Sequence, residues 1–240
     1  MKRSLIIIPT YNEIENINSI IDAVLSQSDD FNVLVVDDNS PDGTANAVKN
    51  HKAFENRLFL LERAGKLGLG TAYILGFRYG ISEGFDYIFE MDADFSHDPK
   101  DLLRLRDACE LGADVSVGSR YTTGGGVENW PNGRLFLSKG ASLYVRIVTG
   151  MPVKDPTAGF ICYRRKVLEN LDLSKINFVG YTFQIAMKYY AWNKDFQIKE
   201  VPIIFKDRIK GTSKMSSNII SEAIFGVLRM RKNQLFGYYK

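Results

Sequence analysis

The sequence has 240 residues, of which 45% are apolar and 25% charged, a size and composition typical of one globular domain with a sizeable core. Its net charge of only +3 excludes a general polycation, and we expect no nucleic-acid partner. The charge is uneven, because nine basic residues stand against three acidic ones from Lys199 onward, which gives this segment +6 and the remainder −3. Such a segment is typical of contact with phosphate or a membrane surface, although a solvated basic face has the same composition.

The two cysteines, Cys109 and Cys162, lack the paired spacing of zinc or redox motifs. They predict ordinary core thiols in a reducing compartment. The first apolar run, residues 5–8, is too short for a signal peptide and is interrupted by Pro9. No segment approaches the roughly 20 apolar residues that span a bilayer. We therefore expect a cytoplasmic protein that is at most peripheral on the cytoplasmic face of the membrane.

Short β-branched runs alternate with longer helical patterns over the first half of the chain. The predicted strand and helix pairs are 5–8 with 14–27, 33–36 with 44–51, 57–61 with 71–82, and 87–91 with 100–111. The first helix has apolar residues at intervals of three and four, which form one buried stripe. This alternation predicts an α/β fold, with a mostly parallel twisted sheet flanked by crossover helices.

The second half of the chain is less regular. Strands are predicted at 114–119 and 160–164, an extended segment at 198–205, and a flexible loop at 124–126. Helices are predicted at 135–148, 181–192 and 217–232. Because no internal repeat or low-complexity linker interrupts the sequence, we expect one continuous domain over residues 1–240.

Polar clusters follow three of the four strands predicted in the first half. Ligands of open α/β sheets bind in the crevice beyond the carboxyl ends of the strands, so these clusters should converge on one site. The clusters are Pro9-Thr10-Tyr11-Asn12-Glu13, Asp37-Asp38-Asn39-Ser40 and Asp92-Ala93-Asp94.

Asp92 and Asp94 are two carboxylates separated by one residue at the end of an apolar strand. Burying both is costly without a cation or hydrogen bonds. Mg²⁺ and Mn²⁺ would satisfy them, because hard cations prefer oxygen ligands and are commonly held by one or two carboxylates plus substrate phosphates. Taken alone, the same pattern also fits two residues that cap a turn. The Asp37-Asp38 pair fits a contact with a ribose or a base, and it also fits a turn whose side chains bond their own backbone; both can hold at once.

Four basic residues lie in loop-like contexts that favour anion binding. Arginine forks match phosphate oxygens in a bidentate way. Taken singly, each is more often a solvent-exposed loop charge. The four are Arg120, Arg134, Arg208 and Lys214.

Taken together, these stretches resemble the family 2 glycosyltransferases of the GT-A fold, and among them most closely the dolichyl- or polyprenyl-phosphate mannose synthases. Several matches in the same order are far more specific than any one, and they cover nearly the whole chain. The matching stretches are Ile8-Pro9-Thr10-Tyr11-Asn12-Glu13, Val36-Asp37-Asp38-Asn39-Ser40-Pro41-Asp42-Gly43-Thr44, Gly65-Lys66-Leu67-Gly68-Leu69-Gly70-Thr71-Ala72, Met91-Asp92-Ala93-Asp94-Phe95-Ser96-His97, Gly118-Ser119-Arg120-Tyr121, and Phe205-Lys206-Asp207-Arg208 with Gly211-Thr212-Ser213-Lys214.

This resemblance implies an inverting, metal-dependent hexosyltransferase that moves mannose from GDP-mannose to a polyprenyl (dolichyl-type) monophosphate. Residues 1–119 would bind the nucleotide sugar, and residues 120–240 the acceptor and the membrane. The resemblance implies that the donor contacts Pro9, Tyr11, Glu13, Val36, Asp38, Asp92, Ala93, Asp94, Arg120, Arg208 and Lys214. It places Mg²⁺ or Mn²⁺ on Asp92 and Asp94, and the acceptor's phosphate on Arg120, Arg134 and Ser138. Asp92, Asp94, Arg120 and Arg134 would be the catalytic residues.

The sequence departs from the family pattern at Ser96, where some relatives have a glutamine that binds the metal. Direct ligation is not expected from the shorter serine. Some members of this type carry C-terminal transmembrane helices, whereas this chain resembles the compact form, with a small membrane-anchoring partner possible. The apolar segments 135–148 and 219–228, the second followed by bases, suit an anionic bilayer surface, or both are core faces.

Two other functions fit part of the pattern. One is transfer of glucose or another sugar from a UDP-sugar to polyprenyl phosphate or to a saccharide. A hydroxyl acceptor would need deprotonation, and the second half has no obvious carboxylate base for it. The other is an inactive nucleotide-sugar-binding subunit, against which the intact acidic and basic motif residues argue.

Overall fold

The computed structural model describes residues 2–178, 180–207 and 217–237. The strands in these ranges are β1 (Ser4–Thr10), β2 (Phe31–Asp37), β3 (Leu58–Glu62), β4 (Tyr87–Glu90), β5 (Val115–Ser119), β6 (Gly126–Glu128), β7 (Ile161–Arg164), β8 (Ile198–Pro202) and β9 (Ile204–Lys206). The helices are α1 (Ile17–Leu25), α2 (Thr44–Lys49), α3 (Leu69–Ser82), α4 (Asp101–Glu110), α5 (Asn132–Thr149), α6 (Arg165–Asn170), α7 (Gly180–Asn193) and α8 (Ser217–Leu235), with a short 3₁₀ turn at Leu173–Lys175.

A seven-stranded sheet in the order β3-β2-β1-β4-β7-β5-β8 forms the centre of the protein. Four neighbouring pairs are parallel, and β7 runs antiparallel to both β4 and β5. The predicted mostly parallel α/β fold is therefore confirmed. A second sheet pairs β6 with β9 over three residues.

Both faces of the large sheet are covered, which explains why its strands are nearly continuous apolar runs. Along β1, Leu5 and Ile7 pack into the core on the side of α3 and α7. The alternate residues Ile6 and Ile8 pack on the opposite side, with α1 and α4. Successive side chains of a strand point to opposite faces, so a single strand supplies both cores.

The predicted elements are found, with shifted boundaries and three additions. The first helix begins at Ile17 rather than at residue 14, and the Ile14 amide instead donates to Asp42 in the neighbouring loop. The glycine run 124–126 is not wholly a loop, since Gly126 begins β6. Strand β6, helix α6 and the 3₁₀ turn are too short to give a periodic pattern. The extended segment 198–205 divides at Ile203 into β8 and β9.

Cys109 and Cys162 are free, buried thiols, as predicted, with the Cys109 sulfur 3.7 Å from the Cys162 carbonyl oxygen. Among the described residues, no helix is both long enough and apolar enough to cross a bilayer.

Candidate active site

The loops after β1 and β2 are joined at the carboxyl edge of the sheet. The Thr10 hydroxyl donates to Asp37 Oδ1 at 2.7 Å, and the Asp38 amide donates to the Thr10 carbonyl at 3.0 Å. Asp37 is fully buried, and it also accepts from the amide and the hydroxyl of Ser40. Asp37 is therefore a turn-forming residue, one of the two readings that the sequence allowed.

Three non-glycine residues with left-handed backbone lie in the loops that follow β1, β2 and β4. They are Asn12, Asn39 and Phe95, with φ of 60°, 56° and 59°. Asparagine tolerates this region, but a bulky residue such as phenylalanine rarely adopts it. Sharp reversals directly after the strands keep these three loops at the sheet edge, where backbone strain is typical of functional sites.

Asp38 is held by Arg63, a residue that the sequence analysis did not single out. Arg63 Nε donates to Asp38 Oδ1 at 2.5 Å, and its other nitrogens donate to the Thr71 hydroxyl and the Gly68 carbonyl at 2.6 and 3.1 Å. Both partners of the ion pair are buried. Arg63 follows β3 directly, so the rule that drew attention to the other three strand ends would have found it.

Of the other residues expected at the nucleoside, Tyr11 and Glu13 lie in the loop after β1, whereas Val36 lies within β2. Tyr11 is half-buried, and the Lys66 ammonium lies 4.8 Å from the centre of its ring. The Glu13 amide donates to the Thr44 hydroxyl at 3.0 Å, which fixes the start of the following turn. Val36 lies wholly inside the core, so its side chain faces no open surface.

Asp92 and Asp94 lie in a tight loop after β4. Asp94 is buried, and its Oδ1 accepts from both the amide and the hydroxyl of Ser96. The Asp92 amide donates to His97 Nδ1 at 3.4 Å. Burial lowers the pKa of His97 to about 4, so this ring is a neutral acceptor stacked on Phe160. His97 therefore fixes the backbone of the loop at Asp92, and Ser96 fixes the direction of the Asp94 carboxylate.

A buried polar cluster lies beneath this loop. Glu90, the last residue of β4, accepts from the Tyr163 hydroxyl at 2.8 Å and from Gln184 Nε2 at 2.5 Å. Burial raises the pKa of Glu90, and it lowers the pKa of the neighbouring Lys188, whose ammonium donates to the Ala158 carbonyl at 2.7 Å. Fixed hydrogen bonds thus anchor the end of β4 that carries the acidic loop.

Arg120, directly after β5, is oriented by Asp155. Its Nε and Nη2 donate to the two Asp155 carboxylate oxygens at 2.7 and 2.6 Å, and its amide donates to the same group at 2.9 Å. Nη2 also donates to the Thr157 hydroxyl at 2.8 Å. Burial alone would lower the pKa of Arg120, but the hydrogen bonds and charge of Asp155 raise it. The guanidinium is therefore a fixed cation.

Asp155 is itself positioned by Glu200. The two Glu200 carboxylate oxygens accept from the backbone amides of Lys154 and Asp155 at 2.9 and 3.0 Å. Asp155 is fully buried, and 35 residues separate it from Arg120 in sequence. No local pattern marks such a contact, which is why the sequence analysis missed Asp155 and Glu200.

Arg134 and Ser138 lie one turn apart on α5 and are linked to Arg120 through Trp130 and Tyr121. Arg134 Nη1 donates to both carboxylate oxygens of Asp207 at 3.0 Å. Its guanidinium carbon is 4.0 Å from the centre of the Trp130 ring, and that of Arg120 is 5.5 Å from the same ring. Ser138 accepts from the Tyr121 hydroxyl at 2.6 Å. The structure thus brings together the three residues expected at the acceptor's phosphate.

The acidic loop and the arginine pair meet through β9. The Lys206 amide donates to the Ser96 carbonyl at 3.2 Å. The Phe205 ring packs edge-on against both His97 and Trp130, with centroids 5.5 Å apart in each case. Arg208 and Lys214, expected over the donor phosphates, lie outside the described residues.

The mostly parallel sheet, flanked by helices, is GT-A-like. The chain superposes with a TM-score of 0.67 on a crystal structure of glucosyl-3-phosphoglycerate synthase from Mycobacterium tuberculosis in complex with Mn²⁺, UDP and glucosyl-3-phosphoglycerate, over 96% of this chain and 80% of that one. A complex of the same synthase with Mn²⁺, UDP-glucose and glycerol 3-phosphate has the same TM-score and coverage. Sequence identity is 18% in both cases, so this similarity establishes the fold.

Residues 5–172 match the family described as Glycosyl transferase family 2, and the chain belongs to this family. It is 48% identical over 227 residues to the polyprenol monophosphomannose synthase of Mycolicibacterium smegmatis, covering 94% of this chain and 86% of the relative. It is 44% identical over 227 residues to the undecaprenyl-phosphate mannosyltransferase of Micrococcus luteus, covering 95% and 93%.

Proposed function

We propose that the chain transfers mannose from GDP-mannose to a polyprenyl monophosphate with inversion, giving a β-linked polyprenyl-phosphate mannose. The observation that carries this proposal is the acidic Asp92–Asp94 loop beside the fixed pair Arg120 and Arg134. A carboxylate loop suits a metal-bound diphosphate, and a guanidinium pair suits a second phosphate. Relatives named as polyprenol-phosphate mannosyltransferases support the same reaction.

Asp92 and Asp94 are the residues that would hold Mg²⁺ or Mn²⁺. Their hard oxygen ligands fit either ion, and solved GT-A-like neighbours contain Mn²⁺ with UDP. Within the described ranges, no group of three His, Cys, Asp or Glu side chains is arranged to hold a metal, so phosphate oxygens of the donor would complete the coordination. When bound, the ion would neutralise the charge that develops on the departing diphosphate.

The nucleoside end of the donor would lie over the edge formed by the loops after β1 and β2. Pro9, Tyr11, Glu13 and Asp38 border this edge, and Arg63 sets the direction of the Asp38 carboxylate. Val36 would contribute only through the backbone of β2. Arg208 and Lys214 are proposed from sequence to contact the donor's phosphates.

The transfer step needs no general base when the acceptor is a phosphate. A phosphate monoester has a second pKa near 6, so its oxygen is anionic at neutral pH. That oxygen forms a bond to the anomeric carbon while the bond from this carbon to the diphosphate oxygen breaks, and GDP leaves with the electron pair. Arg120 and Arg134 would hold one anion against another, which is catalysis by positioning and electrostatic stabilisation. Both oxygens of Asp155 are engaged by Arg120, which gives this carboxylate a positioning role.

A polyprenyl acceptor requires contact with a membrane surface, and α5 and α8 offer apolar side chains for it. Phe136, Leu137, Leu143 and Ile147 on α5 are exposed, as are Ile224, Phe225 and Leu228 on α8. The apolar segments expected on these helices are thus divided between core and surface: Val145 and Val227 are buried, whereas the side chains just named are exposed. We propose peripheral attachment at the cytoplasmic face, with room for a small anchoring partner on these helices.

We also propose that residues 1–240 form one domain, with a donor half (1–119) and an acceptor half (120–240). The seven-stranded sheet takes strands from both halves, and β5 of the first lies between β7 and β8 of the second, which supports a single unit.

The test is transfer of radiolabelled sugar into lipid. Purified protein with Mg²⁺ and polyprenyl phosphate is given labelled GDP-mannose, UDP-glucose or UDP-N-acetylglucosamine, and the lipid phase is extracted. We expect label in lipid from GDP-mannose alone. Label from a UDP-sugar alone would transfer support to the alternative donor, and no label from any donor would refute the synthase.

A further inference from the structure

A cavity of about 380 Å³ lies between helix α5 and the loop after β5. This volume falls in the range of roughly 300–1,000 Å³ that is typical of pockets for small organic ligands. The cavity is open on one side and is lined by Arg120, Tyr121, Thr122, Gly125, Lys139, Ser142, Leu143, Arg146 and Lys154. Arg134 and Ser138 do not line it, whereas Arg120 does, so the cavity adjoins the proposed acceptor-phosphate site and shares Arg120 with it.

The cavity is strongly basic. Lys139, Arg146 and Lys154 line it together with Arg120, and no aspartate or glutamate does. Arg120 is neutralised by Asp155, and Glu200 is the further carboxylate nearby, bound to the Lys154 and Asp155 amides. Within the part of the chain that the structure describes, Lys139, Arg146 and Lys154 form no ion pair. Three cations around one carboxylate leave a net positive cavity that favours an anion.

The mouth of this cavity borders an apolar stripe on α5. Phe136, Leu143 and Ile147 are spaced by seven and four residues, so they lie on one side of the helix, and they are exposed by 82%, 54% and 73%. Lys139 and Arg146 are also seven residues apart and form a parallel stripe beside it. Leu143 belongs to both the cavity wall and the apolar stripe.

Helix α8 extends the apolar surface. The Tyr144 hydroxyl donates to the Ile224 carbonyl at 3.0 Å, which joins α5 to α8. Phe225 of α8 is exposed by 70%. A ligand of this cavity would therefore have its anion among the cations while an apolar part lies along the two helices, which is the shape of a lipid and not of a free ion.

We propose that the cavity binds the phosphate group of an anionic membrane phospholipid beside the polyprenyl phosphate acceptor, through Lys139, Arg146 and Lys154. This inference rests on the membrane contact proposed above and adds a headgroup site to it. Lys139, Arg146 and Lys154 surround the phosphate, and the acyl chains follow the stripe of Phe136, Leu143 and Ile147. The site selects phosphatidylglycerol or another acidic lipid over zwitterionic phosphatidylcholine.

The experiment is binding to vesicles of phosphatidylcholine with and without phosphatidylglycerol, followed by flotation. The variant is Lys139→Gln combined with Arg146→Gln. Removing each cation should weaken binding to phosphatidylglycerol vesicles about fivefold, so the pair should lose roughly 25-fold. The control, Lys49→Gln combined with Lys52→Gln, removes the same charge from exposed positions at α2, which packs on α1, β2 and β3, and it should lose clearly less. This measurement involves no sugar transfer, so it fails or succeeds independently of the proposed reaction.

Three results would overturn the headgroup site. Equal losses in both double variants would mean that general surface charge attracts the vesicles. Binding of inorganic phosphate by the wild type in calorimetry, with no preference for phosphatidylglycerol vesicles, would reassign the cavity to a free anion. Loss of turnover by Lys139→Gln with Arg146→Gln in detergent, where phospholipid is absent, would place these cations in the acceptor site.

Discussion

The Asp155 carboxylate accepts three hydrogen bonds from Arg120: its amide, Nε and Nη2 donate at 2.9, 2.7 and 2.6 Å. A guanidinium held in this way has its direction set before any ligand arrives, so binding an anion costs it little conformational entropy. Because Asp155 is fully buried, its charge is hardly screened by water. Asp155 thus acts through Arg120, as a positioning residue.

The first prediction concerns Asp155→Asn. The neutral amide cannot accept all three donors, so Arg120 should lose its fixed direction. We expect kcat/KM for polyprenyl phosphate to fall roughly 10² fold, as for a misplacement of about 1 Å, with the KM for the donor little changed. In an Arg120→Ala background, Asp155→Asn should add little further loss and should raise stability, because an unpaired buried carboxylate is removed.

The control for this prediction is Asp114→Asn. Asp114 is also a buried acid, but it pairs with Lys166 at the opposite end of β5. Its loss should lower the free energy of unfolding without changing the acceptor's KM. If both variants lower stability and neither changes the kinetics with the acceptor, Asp155 has only a structural role.

The second prediction concerns Arg63→Met. Without the ion pair and hydrogen bonds of Arg63, the Asp38 carboxylate is released from its present direction. We expect the KM for the nucleotide-sugar donor to rise about tenfold with kcat nearly unchanged, the pattern of lost uniform binding. Calorimetric binding of the nucleoside diphosphate should weaken in parallel.

Arg57→Met is the matched control. Arg57 precedes β3 and donates to the backbone carbonyls of Phe31, Leu25 and Ser28, at the end of the sheet away from the site. Its loss should reduce stability and leave the donor KM alone. A raised donor KM in Arg57→Met as well would contradict the role given to Arg63.

The sequence predicts the parallel half of this fold well, because each strand there is an apolar run and each helix has a clear stripe. Strand β6 is different: it has three residues, and it exists through pairing with β9, for example Gly126 with Ile204. The local sequence pattern does not predict pairing with a strand so distant in sequence. The site divides in the same way. Strand-end loops are predictable from topology, whereas the contact of Arg120 with Asp155 spans 35 residues.

The third prediction compares two helical glycines. A Cβ on Gly76 in α3 would lie 2.8 Å from two carbons of Ile7, which is fully buried in β1, whereas a Cβ on Gly140 in α5 would meet nothing within 4 Å. Gly76→Ala should lower the free energy of unfolding by about 1–3 kcal/mol through overpacking. Gly140→Ala should raise it by about 0.5–1 kcal/mol through helix propensity. Urea unfolding measures both, and shifts of the same sign would contradict the packing described.

The fourth prediction concerns the pH dependence of stability. Burial alone would raise the pKa of Asp30, but hydrogen bonds from Ser28 and Arg106 lower it below the ordinary 3.8. A carboxyl with a lowered folded pKa contributes stability above its unfolded pKa, and this contribution is lost as the pH falls through the folded pKa.

Asp30→Asn should therefore cost about 1 kcal/mol at neutral pH. The difference from wild type should begin to shrink near pH 3.8 and should vanish once the pH has fallen below the lowered folded pKa. The neighbouring Asp29 is fully exposed, so Asp29→Asn should change stability little at any pH. Denaturant midpoints measured across this range decide the point. If the free energy of unfolding of Asp30→Asn stays below that of wild type by the same amount down to low pH, the loss comes from altered hydrogen-bond geometry and not from the missing charge.

The fifth prediction separates the two halves of the proposed reaction. Asp94→Ala removes a carboxylate from the acidic loop and should abolish turnover, because the leaving diphosphate loses its metal-assisted stabilisation. Asp94 also orders Ser96, so Ser96→Ala is the control for loop disorder and should retain measurable turnover. Metal affinity, followed by Mn²⁺ paramagnetic resonance in the presence of GDP, should be lost in Asp94→Ala and kept in Ser96→Ala.

Arg134→Ala should mainly raise the KM for polyprenyl phosphate, because Arg134 lies with Arg120 on Trp130, on the acceptor side. Its donor KM and its Mn²⁺ affinity should stay near wild type. Asp207→Asn releases Arg134 from its partner, so it should change acceptor KM in the same direction by a smaller factor. Equal and small effects of Asp94→Ala and Arg134→Ala would refute the proposed roles, in which the acidic loop anchors the leaving diphosphate and Arg134 of α5 holds the attacking phosphate.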